Sequence, residues 1–168
     1  MDFQKDKHIT SNFIWGEMVA SETLEKYNKQ HPQMAIDNIP NGAQMAHLEY
    51  LCEQFLQPLR DKFGPIYVNS AFRSPELNRL VGGATDSWHT YGSAADIRLA
   101  SVLTGVHMIC FIHKRFVDLG IGYDELILSQ RGKSYWLHLA YNAKATPLGS
   151  IVCFNGNRLR VSMLKYIK

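Results

Sequence analysis

Apolar residues recur at three- and four-residue spacing from Ala43 to Phe63, at Met45, Leu48, Leu51, Cys52, Phe55, Leu56 and Leu59. That period lines one stripe of an α-helix. Pro58 falls late in the stripe, where a missing N–H predicts a kink. The period then changes. Gly64-Pro65 ends the helix, and Ile66-Tyr67-Val68-Asn69-Ser70 reads as a strand. Ser74 followed by Pro75 marks the start of a short helix, with a hydroxyl to cap it and a proline that pre-sets φ. Val81-Gly82-Gly83-Ala84 breaks that helix. Ala94 to Leu99 forms a second strand, and a long apolar helix follows from Val102 to Leu119, stopped by Gly120. Asp124 to Ser129 and Tyr135 to Tyr141 are two further strands, joined by the turn Gln130-Arg131-Gly132-Lys133. Asn155-Gly156, between Val152-Cys153-Phe154 and Leu159-Arg160-Val161, signals a hairpin.

Ahead of these elements, residues 1–40 read as an N-terminal arm with one helix. Thr10 or Ser11 would cap it, and residues 17–24 favour it. Asp37-Asn38-Ile39-Pro40-Asn41-Gly42 is a turn cluster. The order of elements predicts an α+β fold, a small, mostly antiparallel sheet with flanking helices. The 168 residues are expected to form one domain, with the arm at 1–40, a core at 41–142 and a C-terminal hairpin extension at 143–168.

Composition narrows the class. Hydrophobic residues at 46% and charged residues at 20% suit a packed core and exclude a disordered chain. The net charge of +3 is scattered, which argues against a nucleic-acid partner and is compatible with weak attraction to an anionic polymer such as a bacterial cell wall. Cys52, Cys110 and Cys153 are too few and too apolar in context for a disulfide framework, so they are expected to be reduced, small hydrophobes. The N-terminus has charges without an apolar run, so no signal peptide is expected, and no stretch approaches the ~18 apolar residues of a membrane span. The expectation is a monomer made in the cytoplasm, which meets a cell wall only if something releases it.

The densest chemistry lies in Ser87-Trp88-His89-Thr90-Tyr91-Gly92-Ser93-Ala94-Ala95-Asp96, a His-x-x-Gly-x-Ala-x-Asp pattern. His89 falls in a loop and Asp96 in a strand. Gly92 lets the backbone turn between them without a Cβ penalty. An imidazole and a carboxylate presented this way can converge on one ion. A catalytic zinc site takes three protein ligands and leaves one position open. His138 is the best third candidate, because alternation puts Trp136, His138 and Ala140 on one face of their strand. Each residue alone has an ordinary reading, as a loop histidine, a strand-end carboxylate and a core histidine. The combination favours zinc. His107, Cys110 and His113 also share a helix, but His113 lies about 240° round from His107, so that set does not converge.

With these motifs in place the chain resembles the M15 zinc peptidases, which include D-Ala-D-Ala carboxypeptidases, dipeptidases and phage L-alanyl-D-glutamate endolysins and share a fold with the hedgehog signalling domain. The resemblance rests on Ser70-Ala71-Phe72-Arg73-Ser74-Pro75-Glu76-Leu77-Asn78, Val81-Gly82-Gly83-Ala84, Ser87-x-His89-x-x-Gly92-x-Ala94-x-Asp96 and Trp136-x-His138, in that order, over about residues 40–142. The segment from Asn12-Phe13 to Ile39-Pro40 is similar to the arm of phage-type members. The resemblance implies that His89, Asp96 and His138 hold Zn2+, and that Arg73 binds or polarises the substrate. It suggests Ser87 as a support for the ligand loop or a hydrogen-bond partner near the ligands and substrate, and Trp88, Tyr91 and Trp136 are expected to wall the substrate groove. The implied substrate is a peptidoglycan stem peptide, cut by a carboxypeptidase or an endolysin-type endopeptidase. One departure stands out. Several family members carry a carboxylate three positions before the last histidine, and Tyr135 stands there instead. Asp124 or Glu125, in a run that resembles the Asp-Gln-Leu-Ile of the phage-type branch, would then take the proton of the attacking water; alternation lets only one face the site. A non-catalytic zinc-holding module of the same fold, binding cell wall or protein, is the alternative.

Overall fold

Alternation along the middle strands builds the centre of the molecule. A computed structural model of the chain describes residues 3–120, 123–142, 148–153 and 157–159. The strands are β1 (Tyr67–Ser70), β2 (Ala94–Leu99), β3 (Tyr123–Arg131), β4 (Ser134–Ala140), β5 (Leu148–Cys153) and β6 (Asn157–Leu159). They form one sheet in the order β1-β2-β4-β3-β5-β6, antiparallel except where β5 runs parallel to β3. The α+β class and the mostly antiparallel sheet are as the sequence predicts. In the C-terminal pair Cys153 faces Asn157; Phe154, Asn155, Gly156, Arg160 and Val161 of the expected hairpin lie outside the described residues.

The helices are α1 (Trp15–Met18), α2 (Glu22–Gln30), α3 (Gly42–Leu51), α4 (Gln57–Phe63), α5 (Pro75–Leu80) and α6 (Val102–Asp118). One face of the sheet is core, through Ala95, Ile97, Leu99, Leu126, Leu128, Leu137 and Leu139. α6 packs there with Met108, Ile109 and Ile112. Gly105 permits the close approach, because a Cβ at that position would run into the δ-methyls of Leu128 and Leu99.

The predicted 43–63 helix is two helices joined by a π-turn over Cys52–Leu56, where the Gln57 N–H bonds to the Cys52 carbonyl. Pro58 follows directly. A proline gives no N–H and crowds the carbonyl four residues back; the wider turn before it absorbs the mismatch. The apolar stripe survives, with Leu48, Leu51, Cys52, Phe55, Leu56 and Leu59 all buried.

The N-terminal arm differs from the expected single helix. Neither Thr10 nor Ser11 caps α1, which starts after Ile14 without a capping side chain. Thr10 instead donates to Gln57 Oε1 at 2.8 Å. A second helix, α2, begins separately because Ser21 is extended and its hydroxyl accepts from the Leu24 N–H at 3.2 Å. Phe13, Trp15 and Met18 enter the same core as the sheet. The turn cluster at 37–42 does two jobs the sequence does not advertise. Asn41 forms a capping box with Gln44 at the start of α3. Asn38 is buried and donates to the carbonyls of Val19 (2.8 Å) and Phe72 (3.2 Å), while its Oδ1 accepts from the Ser74 N–H at 2.6 Å. One amide thereby fastens the arm to the loop between β1 and α5.

Candidate metal centre

The loop after β1 is held at nearly every backbone group. The Phe72 N–H donates to the Met18 carbonyl (2.9 Å) and the Arg73 N–H to the His89 carbonyl (3.1 Å). Ser74 caps α5, as its pairing with Pro75 predicts. Facing this loop, residues Trp88–Tyr91 make one 3₁₀ turn, ended by Gly92 at φ 75°. α3 docks against that turn, with Gln44 Nε2 donating to the Thr90 carbonyl (3.0 Å) and His47 Nδ1 to the Tyr91 carbonyl (2.8 Å). His89 is thus carried on a turn braced from two sides.

Asp96 and His138 come from adjacent strands and stand directly opposite each other in the β2–β4 register, on the face away from the core. Side chains directly opposite in an antiparallel pair lie about 5 Å apart at Cβ, so the pairing alone brings them together. His138 Nδ1 lies 2.8 Å from Asp96 Oδ1, and His89 Nε2 lies 3.3 Å from Asp96 Oδ2. Donor atoms of His89, Asp96 and His138 all lie within 4.8 Å of one another, and no other cluster of three such side chains occurs among the described residues. The helical His107, Cys110 and His113 do not form one; His113 pairs with the Tyr123 hydroxyl at 2.9 Å.

The protonation of the cluster suits a cation. His89 Nδ1 lies 2.6 Å from the Ala71 carbonyl, which can only accept, so Nδ1 carries the proton and Nε2 presents a lone pair toward Asp96. Burial lowers the His89 pKa, against the opposing pull of Asp96, and so favours the neutral ligand form. Burial alone would raise the Asp96 carboxyl; its close contacts with His138 and His89 outweigh it and hold the group well below the usual carboxylate range. Two imidazoles and a carboxylate form a zinc-type donor set, and a tetrahedral zinc with bonds of about 2.0–2.2 Å spaces its ligand atoms about 3.4 Å apart. The residues present fit the ion.

The remaining predicted residues are not all gathered here. Arg73 is: one Nη2 proton goes to Asp96 Oδ2 at 2.8 Å and Nε donates to Ser70 Oγ at 2.8 Å. Burial draws its pKa down, and Asp96 opposes this. Arg73 also lines a groove of about 790 Å³, together with Tyr135 and Trp136 of β4 and with Ser21 and Glu22 at the start of α2. Ser87 acts through its backbone, its carbonyl accepting from the Thr90 hydroxyl at 2.7 Å. Tyr91 is 49% exposed and lines a separate cavity with His47 and Gln44, its ring 5.8 Å from that of Trp88. Of the two candidate acids on β3, Glu125 reaches one of the candidate ligands, with Oε2 3.7 Å from His138 Nε2. Asp124 precedes it and, by alternation, points to the other side of the strand. Sequence reading missed Ser70, the Ala71 carbonyl and Asn38. The first two act through geometry that only the folded loop creates, and Asn38 had a signal only as a polar residue in a turn cluster.

Comparison with known proteins agrees with this geometry. The family model of peptidase M15 matches residues 20–125, which include Arg73, His89 and Asp96. His138 lies beyond the matched stretch, and strand pairing is what brings it to Asp96. A zinc D-Ala-D-Ala carboxypeptidase of Streptomyces albus G is 50% identical over 48 residues, covering 27% of this chain and 19% of that protein. The chain therefore spans only a small part of that relative's length. With more than half of its residues matched by the family model, the chain belongs to the peptidase M15 family, the zinc peptidases whose motifs it carries.

Proposed function

We propose that the protein hydrolyses an amide bond in peptidoglycan stem peptides, with zinc held by His89, Asp96 and His138. The observation that carries this reading is the convergence of the three donor groups beside Arg73, which pairs with Asp96 and also lines the groove. Zinc in such a site supplies Lewis acidity, making water a nucleophile near neutral pH and polarising the scissile carbonyl. The protein's own groups do the rest. Arg73 commits two of its five N–H donors to Ser70 and Asp96; the others remain to hold a substrate carboxylate or carbonyl oxygen. Trp136 forms an apolar side to the groove. Arg98 and Lys133 line it together with Glu22 and Glu25, so both signs of charge are present. That suits a peptide with free amino and carboxyl groups. The name of the Streptomyces relative, a carboxypeptidase for D-Ala-D-Ala, supports this substrate class.

The test is direct. Zinc-loaded protein incubated with purified peptidoglycan should generate new free amines, and a chelator should stop their appearance. Released D-alanine would indicate a carboxypeptidase, and shortened stem peptides without it an endopeptidase. If no amines form while the protein still co-sediments with the wall, the catalytic reading fails and the non-catalytic binding module replaces it.

A further inference from the structure

We infer that Glu125 is a positioning residue, which fixes His138 as a metal ligand from behind, and that it does not take the proton from the attacking water. The inference rests on the zinc-peptidase reading above. An imidazole has two nitrogens on different sides of its ring. His138 turns Nδ1 toward Asp96 at 2.8 Å, inside the donor cluster, and Nε2 toward Glu125 Oε2 at 3.7 Å, outside it. With a cation held by the cluster, Nδ1 gives its lone pair to the ion in place of a proton to Asp96, and the Glu125 carboxylate, which only accepts, favours the tautomer with the proton on Nε2. The 3.7 Å separation exceeds a direct hydrogen bond. A small side-chain rotation of half-exposed Glu125, or one bridging water, closes it.

The neighbouring ligand uses the same device. His89 gives its outer Nδ1–H to the Ala71 carbonyl at 2.6 Å and turns Nε2 toward Asp96. Each ligand histidine therefore has an acceptor behind it and Asp96 in front. The strand register makes Glu125 available for this task. It pairs with Ala140, two residues along β4 from His138, on the same side of the sheet. Its carboxylate is not part of the cluster whose donors lie within 4.8 Å of one another. A proton acceptor for the attacking water must face that cluster, and Glu125 meets it across the far edge of a ligand ring.

Zinc affinity, measured by competition with a chromophoric chelator, separates the roles in the full chain. Glu125→Ala should weaken zinc binding by about 10- to 100-fold, the usual effect of removing a ligand's outer partner. Glu125→Gln keeps an oxygen acceptor and should recover most of the affinity and, at saturating zinc, most of the turnover. The His138 Nε2–H resonance of the zinc-loaded protein should persist in Glu125→Gln and exchange away in Glu125→Ala. Unchanged zinc affinity in Glu125→Ala overturns the inference. So does a Glu125→Gln variant that binds zinc normally but loses about 10²- to 10⁴-fold in turnover, the mark of a lost general base. Wild-type protein that binds no zinc would defeat the peptidase reading itself, a result distinct from either.

Discussion

Asp96→Ala should abolish zinc binding and peptidoglycan cleavage together, and should also destabilise the metal-free protein by about 2 kcal/mol. Asp96 is the hub of the site. Its two oxygens meet Arg73 at 2.8 Å, His138 at 2.8 Å and His89 at 3.3 Å. Alanine removes a proposed ligand and leaves the mostly buried Arg73 guanidinium without its counter-charge. Removing one partner of a fully buried ion pair costs about 3–5 kcal/mol; the smaller figure applies because Arg73 lines the groove, where water can reach it. The sign with pH follows from the depressed carboxyl. A group whose pKa is lowered in the folded state stabilises the fold above its unfolded pKa, about 3.9 for aspartate, and loses that contribution as the pH falls toward the folded value. The stability gap between wild type and Asp96→Ala should therefore be full at neutral pH and shrink below about pH 4. Urea unfolding of both metal-free proteins across that range checks it; a gap that widens in acid would contradict the assignment.

Gly92→Ala should cost about 3 kcal/mol and weaken zinc binding, although position 92 offers no ligand atom. The residue sits at φ 75°, and an added Cβ would lie 2.6 Å from the Gln44 carbonyl oxygen and 3.2 Å from Leu48 Cγ. Left-handed backbone costs an L-residue about 1 kcal/mol, and forcing a methyl into a filled space about 2 more. The obstacle is backbone in the first turn of α3, so it cannot swing aside. The ligand turn must lift instead, straining the Gln44–Thr90 hydrogen bond and shifting His89 three residues earlier. Denaturant unfolding and a zinc titration on the same sample measure both effects. A loss below about 0.5 kcal/mol with unaltered zinc affinity would show that the turn is not braced as described.

Much of this was readable in the sequence where one local rule governs one element. Ser74-Pro75 announced α5, Gly120 closed α6, and alternation in β4 placed His138 beside Trp136 and Ala140. The ligand turn was legible because Gly92 marks a backbone that few other residues adopt. What stayed hidden depended on contacts between distant segments. Asn38 is a turn residue by sequence and a buried clamp by structure, since Val19, Phe72 and Ser74 meet around it only after folding. The π-turn before Pro58 leaves the apolar stripe intact, so the hydrophobic pattern could not distinguish it from a kinked helix. The choice between Asp124 and Glu125 needed the β3–β4 register, because a one-residue shift exchanges the two.

X-ray absorption at the zinc edge tests the central claim most directly. The predicted result is one zinc per chain, with only nitrogen and oxygen neighbours at about 2.0–2.1 Å and the outer-shell scattering of two imidazoles. That signal should drop to one imidazole or vanish in His89→Ala and in His138→Ala. Sulfur at about 2.3 Å, or two imidazoles retained in either variant, would contradict a site built from His89, Asp96 and His138.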